Sequence, residues 1–282
     1  MDREKKVTLS VIMPVYNCAS TIERALKSVL HQKSDDMEVL VIDGGSSDGT
    51  VEIIENYAKE IDYFVSEKDR GYADALNKGI AAARGTFFTM LAGDDCYLKD
   101  ALKTVLERLD DGVDVWCGSI IEKRKFGYVI LPSSPDFREL YRCCSLRQPA
   151  SMYRRSAVMD SGCYDIRYRC SSDRDLFLRL YEKNYRFRIE ALPVVLFGTD
   201  GMSTTSDLGL KEDVEISVKH GMDPKEAERI YLESRNDLIG TRRMAKENLY
   251  AALNRLHLLD LFHALTKRPK GYLHASGFEL QQ

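Results

Sequence analysis

Phe87-Phe88-Thr89-Met90-Leu91-Ala92-Gly93-Asp94-Asp95-Cys96-Tyr97 is an apolar run that ends in two adjacent carboxylates. Phe87 to Leu91, bounded by Gly85 and Gly93, has the aromatic and apolar character of a buried strand. Asp94 and Asp95 then fall where that strand leaves its sheet. Open α/β sheets bind ligands at the carboxyl ends of their strands. Two carboxylates at such a place fit a divalent cation and a phosphorylated ligand. They also fit a helix N-cap, because Asp is a common capping residue and a helix is expected from Leu98 to Leu109.

Upstream, the same pattern recurs three times. Leu9 to Met13 is an apolar run closed by Pro14, and it is followed by the loop Val15-Tyr16-Asn17. Ser20-Thr21-Ile22-Glu23 has the form of a capping box. Ile22, Ala25, Leu26, Val29 and Leu30 follow at helical spacing. Met37 to Ile42 is a second strand, ending at Asp43 and the turn Gly44-Gly45-Ser46-Ser47-Asp48-Gly49. A helix is expected from Val51 to about Lys59. Tyr63 to Ser66 is a third strand, ending in Glu67-Lys68-Asp69-Arg70-Gly71, and Ala73 to Ala83 is a helix of small residues. Strands alternating with helices of this length predict βαβ units and a mostly parallel sheet. Right-handed crossovers gather the strand-to-helix loops on one edge. That edge would hold Pro14 to Asn17, Asp43, Asp69-Arg70 and Asp94-Asp95 in one crevice.

The phosphate-binding fingerprints are missing. Gly44 to Thr50 does not spell G-x-x-x-x-G-K-[ST], and no G-x-G-x-x-G follows the first strand. Asp43 has two chemical uses. It can accept the ring N–H of uracil or guanine, or it can initiate the glycine-rich turn that follows it.

Beyond Leu109, strands are expected at Val113 to Ile120 and Tyr128 to Leu131, joined by a basic hairpin tip at Lys123 to Lys125. A short helix is expected from Asp136 to Cys143 and an extended segment from Gln148 to Tyr153. Ser171-Ser172-Asp173-Arg174-Asp175 opens a helix in which Asp175 can pair with Arg179 one turn later. Phe187 to Ala191 and Val194 to Phe197 look like two further strands. From about Ser206 the pattern is helical, with Asp223-Pro224 marking a helix start. Leu249, Leu253, Leu256, Leu259 and Phe262 form an apolar stripe, and Arg242 to Lys270 carries seven basic residues against two acidic ones. Such a helix can lie on an anionic membrane surface or pack on the domain or a second subunit.

Composition sets the outer limits. The chain has 282 residues, 44% hydrophobic and 30% charged, with a formal net charge of −3. That is a globular profile without the basic excess of a nucleic-acid binder. No apolar run reaches the ~18 residues of a membrane span. The charged start Met1 to Lys6 lacks a signal-peptide core, so a cytoplasmic location is expected. The 7 cysteines and 5 histidines show no metal-ligand spacing, and the odd, scattered cysteines fit reduced thiols.

Taken in order, five segments resemble the family 2 glycosyltransferases of GT-A type, and most of all bacterial enzymes that build surface polysaccharides. They are Ser10 to Asn17, Val41 to Thr50, Ser66 to Gly71, Asp74 to Ile80 and Leu91 to Asp95. The likeness continues through Asp173 to Leu180 and fades after about Thr205. It implies a GT-A domain over residues 1–205, with a nucleotide-sugar half to about 110 and an acceptor half over 111–205, followed by a helical extension over 206–282. It implies inverting transfer of a sugar from a nucleoside diphosphate sugar, UDP-sugar favoured, to a glycan or lipid-linked acceptor hydroxyl. By resemblance Pro14, Val15, Tyr16, Asn17 and Asp43 hold the nucleoside, with Asp43 on the base. Asp69 and Arg70 border the base or ribose, and Asp94 faces the ribose and sugar. Asp95 would bind Mn²⁺ or Mg²⁺ on the diphosphate, and Asp173 matches the catalytic base. Gln148 is expected on the acceptor side. Two departures stand out: Ser172 replaces an acidic residue that many relatives carry before the base, and Gly93 leaves only two acids in the metal motif. A non-catalytic nucleotide-sugar-binding protein of the same fold is the alternative, and the absence of a basic glycine-rich loop argues against a nucleotidyltransferase.

Overall fold

A computed structural model describes residues 7–124, 127–198 and 207–239. The Leu249 to Phe262 stripe and its basic surroundings lie outside the described residues.

The first half of the chain builds four parallel strands: β1 (Leu9–Val15), β2 (Met37–Asp43), β3 (Tyr63–Ser66) and β4 (Phe87–Met90). Their helices are α1 (Ile22–Leu30), α2 (Thr50–Glu55) and α3 (Tyr72–Ala82). Apolar residues occupy both faces of β1, β2 and β4, as expected of strands covered on both sides. Leu9, Val11 and Met13 pack in one core layer with Leu26 and Val29 of α1. Ile12 faces the opposite layer with Leu76 and Ile80 of α3.

The second half adds β5 (Cys96–Tyr97), α4 (Ala101–Leu106), β6 (Val115–Arg124), β7 (Gly127–Pro132), β8 (Ser151–Arg154), α5 (Arg155–Asp160), α6 (Ser172–Glu182) and β9 (Phe187–Phe197). Among the described residues the strands form one sheet in the order β3-β2-β1-β4-β8-β6-β9-β5, with β7 on β6. Parallel pairing is concentrated in the first four strands; β8 joins β4 and β6 antiparallel. The chain runs outward from β1 to β3 and then returns to place β4 on the other side of β1. That reversal is a topological switch point, the place where such sheets open a crevice beyond their strand ends. Two helices follow, α7 (Asp207–Lys219) and α8 (Pro224–Ile239). Asp223 caps α8 as expected, its Oδ1 accepting from the Lys225 and Glu226 N–H groups. Among the described residues no helix is long and apolar enough to cross a membrane.

Several local expectations are corrected. The two strands expected around Pro193 are one, β9, because Pro193 sits opposite Ser119 at a break in the β6 register. A residue without an N–H is tolerated at such a bulge. The helix expected from Leu98 begins only at Ala101, because Cys96–Tyr97 pairs with β9 first. Asp136 to Cys143 is a 3-10 turn, Phe137–Tyr141. The capping box at Ser20 does not form. Thr21 holds the N-cap position without a side-chain cap bond, and Glu23 turns outward to Lys27 and Tyr57.

Candidate active site

The carboxyl ends of β1, β2, β3 and β4 bring Pro14, Val15, Tyr16, Asn17, Asp43, Asp69, Asp94 and Asp95 to one edge of the sheet. Register makes them neighbours: Val15 stands opposite Asp43, and Asp43 opposite Ser66. Pro14 and Val15 are buried strand residues, whereas the Tyr16 ring is 63% exposed. Asn17 takes a left-handed conformation, φ 47°. Its N–H donates to Ser46 Oγ and its Oδ1 accepts from the Ser47 N–H, tying the loop after β1 to the turn after β2.

Asp43 is fully buried, and its carboxylate is already used. Oδ2 accepts from the N–H groups of Gly45 and Ser46 and from Ser66 Oγ, and Oδ1 accepts from Ser46 Oγ at 2.5 Å. Asp43 thus organises the turn after β2. The neighbouring Asp69 is the one left available. Its Oδ1 accepts from the Gly71 N–H at 2.8 Å. Its Oδ2 leans over Gly44, where an added Cβ would lie 2.6 Å from that oxygen and 3.3 Å from the Tyr16 ring. Glycine at position 44 thus leaves the space that the Asp69 carboxylate and the Tyr16 ring border. Arg70 does not join this group. Its guanidinium is held by Asp74 at 2.8 Å and lines an open cavity of about 460 Å³ with Asn77, Tyr164 and Lys219.

Asp94 and Asp95 cap nothing, because β5 separates them from α4. Asp95 is 1% exposed, and burial above all pushes its carboxyl up to about 8. Its Oδ1 accepts from the Gly198 N–H at 2.7 Å. Asp94 is half-buried, its backbone carbonyl accepting from Arg24. Among the described residues no three His, Cys, Asp or Glu side chains gather as a metal cluster. The donor set nevertheless fits a hard cation that keeps waters and shares phosphate oxygens, which needs only one or two protein carboxylates. Asp95 is such a carboxylate: all oxygen, desolvated, and among the described residues without an ion-pair partner within 4 Å.

Asp173 lies in the first turn of α6. Burial pushes its carboxyl up to about 6, while the Arg174 N–H and the Cys144 thiol, which donates to Oδ2 at 3.4 Å, work against that rise. Tyr72, at the start of α3, is buried within electrostatic reach of both acidic groups. Burial drives its phenol well above the usual range, and the charges of Asp95, Asp173 and Asp94 add to that. Its hydroxyl approaches Gln148 Oε1 at 3.5 Å, and Gln148 Nε2 donates to the Tyr164 hydroxyl at 3.2 Å. Tyr72, Gln148 and Tyr164 therefore form a polar row, and the charge of Asp173 acts on both tyrosines.

The family model for glycosyl transferase family 2 matches residues 10–172, more than half of the chain. The chain belongs to glycosyl transferase family 2. The match ends one residue before Asp173, so the base position lies just outside it. A Campylobacter jejuni protein named GalNAc(5)-diNAcBac-PP-undecaprenol beta-1,3-glucosyltransferase is 36% identical over 120 residues, 41% of this chain and 39% of that protein. The family 2 chain spans little more than half the length of the first curated relatives it matches, 54% and 58%. Among solved structures, Staphylococcus aureus TarS 1-349 with UDP-GlcNAc superposes with TM-score 0.61 at 18% identity, covering 83% of this chain and 74% of that one. The mannosyltransferase PcManGT of Pyrobaculum calidifontis with GDP-Man and Mn²⁺ gives TM-score 0.58 at 19% identity, covering 94% and 81%. At these identities the likeness concerns the fold, which is GT-A.

Sequence reasoning missed Tyr72, Cys144 and Asp213 in this family 2 site. Tyr72 had a local signal, since it follows Asp69-Arg70-Gly71 at a helix start. Cys144 and Asp213 had none, because each meets the α6 start only through the fold.

Proposed function

We propose that this chain transfers a sugar from a nucleoside diphosphate sugar, UDP-sugar favoured, to an acceptor hydroxyl with inversion, in the building of a bacterial polysaccharide or glycoconjugate. One observation carries the reading. The crevice has nucleotide-type groups on its parallel side, a desolvated Asp95 beside the half-buried Asp94 after β4, and the buried Asp173, whose basicity is raised. Tyr16 offers an exposed ring face for a base. Asp69 Oδ2 accepts a ring N–H, which uracil and guanine both have; this takes over the role first expected of Asp43. Asp94 faces the sugar side.

Asp95 would hold Mn²⁺ or Mg²⁺ together with the diphosphate, and such an ion, when bound, neutralises charge on the leaving group as a Lewis acid. Asp173 takes the proton of the acceptor hydroxyl as that oxygen bonds to the anomeric carbon. The bond from that carbon to the diphosphate breaks on the opposite face, and the configuration inverts. A carboxylate near 6 is ionised at neutral pH yet basic enough to share the proton in the transition state. The UDP-GlcNAc of the TarS complex supports the donor class, and the undecaprenol-linked glycan in the Campylobacter protein's name supports a lipid-linked acceptor. The Mn²⁺ of the mannosyltransferase complex supports a metal.

Calorimetric titration with UDP, GDP and their sugars, with and without Mn²⁺, tests the donor site. For the base, Asp173→Asn is expected to lower turnover by ~10²–10⁴-fold while donor affinity stays within a few-fold. In the wild type, kcat/KM is expected to rise with pH through about 6, as Asp173 loses its proton. Unchanged turnover in the variant would end the base assignment.

A further inference from the structure

The start of α6 is gripped by α7, and the grip is made of charge. Glu212 is buried, and its carboxylate accepts the backbone N–H groups of Arg169, Cys170 and Ser171 at 2.8–3.0 Å. Arg174 is fully buried. Its guanidinium donates to the Leu140 carbonyl, to the Asp213 carbonyl and Oδ1, and to Ser217 Oγ. The Ser171 hydroxyl donates to the Gly209 carbonyl of α7 at 3.3 Å. The Asp213 carboxylate is thus fixed by the residue directly after Asp173.

We propose that Asp213 is a positioning residue for Asp173: α7 locks a second carboxylate beside the base and holds it there through Arg174. The proposal rests on Asp173 being the base. Two like charges held close disfavour ionisation of either, so a negative Asp213 makes Asp173 a stronger base. Ser172, the residue directly before Asp173, brings no charge of its own.

Other groups face Asp173 from every element packed on it. Tyr72 of α3, Tyr153 of β8 and Tyr164 from the loop before α6 all feel its charge, and burial keeps each phenol neutral through neutral pH. Cys144 stays a neutral thiol, also raised by burial, and opposes Asp213 by donating to Asp173 Oδ2. Arg147 acts on Cys144. Arg174 extends its charge away, to Leu140 and α7. Among the described residues, then, two side chains tune the base in opposite directions: Asp213 strengthens it and Cys144 weakens it.

Opposite signs give a test that damage to the fold would not imitate. The full chain is labelled with ¹³Cγ-aspartate and titrated by NMR, with the Asp173 resonance assigned by its loss in Asp173→Asn. The wild-type midpoint is expected near 6. Asp213→Asn is expected to lower it by about half to one unit, and Cys144→Ala to raise it by a similar amount. Asp213→Ser, which keeps a hydroxyl for Arg174, serves as the second charge-removing variant and should give the same fall. An Asp173 midpoint that stays in place in a folded Asp213 variant overturns the proposal. No turnover enters this measurement, so a failure here leaves the base assignment standing. Conversely, full turnover in Asp173→Asn would remove the base and leave the coupling measured.

Discussion

A carboxylate offers about four lone-pair positions, and on Asp43 four donors occupy them inside a buried turn. Asp69, just beyond the neighbouring strand, has one backbone donor on Oδ1 and carries its other oxygen over Gly44, beside the exposed Tyr16 ring. The two residues share a side chain and differ in what surrounds it, so their substitutions should separate cleanly. Asp43→Ala strands two backbone N–H groups and two hydroxyls in a closed turn, and is expected to cost about 2 kcal/mol or more of stability, read from urea midpoints. Asp69→Ala is expected to cost little stability but to weaken nucleoside diphosphate binding by ~10-fold or more, read by calorimetry. If Asp43→Ala were stable and lost the nucleotide instead, the assignment of roles would be reversed. Both aspartates were legible as strand-end acids, because each closes a short apolar run. Which one is free was not legible. That depends on Ser46 and Ser66 reaching back to Asp43, and Ser66 does so from the next strand.

Helix α6 shows what an element needs beyond its own sequence. The pair Asp175 and Arg179 one turn apart was visible in the spacing, and it forms at 2.8 Å. Two partners were not visible, because they sit at the end of α7 and just beyond it. Lys219 reaches Asp175 Oδ1 at 2.5 Å and His220 approaches it at 3.3 Å. Asp175 is fully buried. Burial pushes its carboxyl up, but the bonds from His220 and Lys219 and the Arg179 charge outweigh that and hold it below the usual range. A depressed folded value fixes the sign of the pH dependence. The stability contributed is fully present above the unfolded value of about 4 and is lost as pH falls through the folded value. Asp175→Asn is therefore expected to cost about 3 kcal/mol at pH 7, since it leaves cations facing a neutral amide. The gap to wild type should close on acidification below about pH 4. A gap that stayed constant down to pH 2 would show that packing, not charge, is responsible. The unformed capping box at α1 has the same cause. The Cys18 and Ala19 N–H groups just before the helix donate to Thr50 and Asp48 of the next loop, so the helix entrance is fixed by tertiary partners.

At the scale of the whole sheet, the two halves of the chain meet beside Asp94 and Asp95. The parallel half delivers these carboxylates from β4, and the other half brings the end of β9 against them through β5, where Cys96 pairs with Leu196 and Tyr97 with Val195. The repeated strand–helix pattern made the parallel half readable. A two-residue strand and a strand running through a proline gave no such pattern, so this junction could not be read from the chain. Gly198 closes it. Its N–H donates to Asp95 Oδ1 at 2.7 Å, and a Cβ added there would lie 2.7 Å from Asp94 Oδ2 and 2.8 Å from the Asp94 carbonyl. The side chain could swing aside but the carbonyl cannot, so the end of β9 would have to retreat. Gly198→Ala is therefore expected to cost ~1–3 kcal/mol of stability and to pull a backbone donor off a buried carboxylate. The donor site should suffer more than the base. The Mn²⁺-dependent gain in nucleoside diphosphate affinity should fall by ~10-fold, while the Asp173 titration midpoint, raised above all by burial at the start of α6, should stay within a few tenths of a unit. Calorimetry with and without Mn²⁺, paired with the aspartate titration, separates the two. An unchanged metal-dependent gain in a folded Gly198→Ala protein would mean that the end of β9 does not hold the carboxylate pair in place.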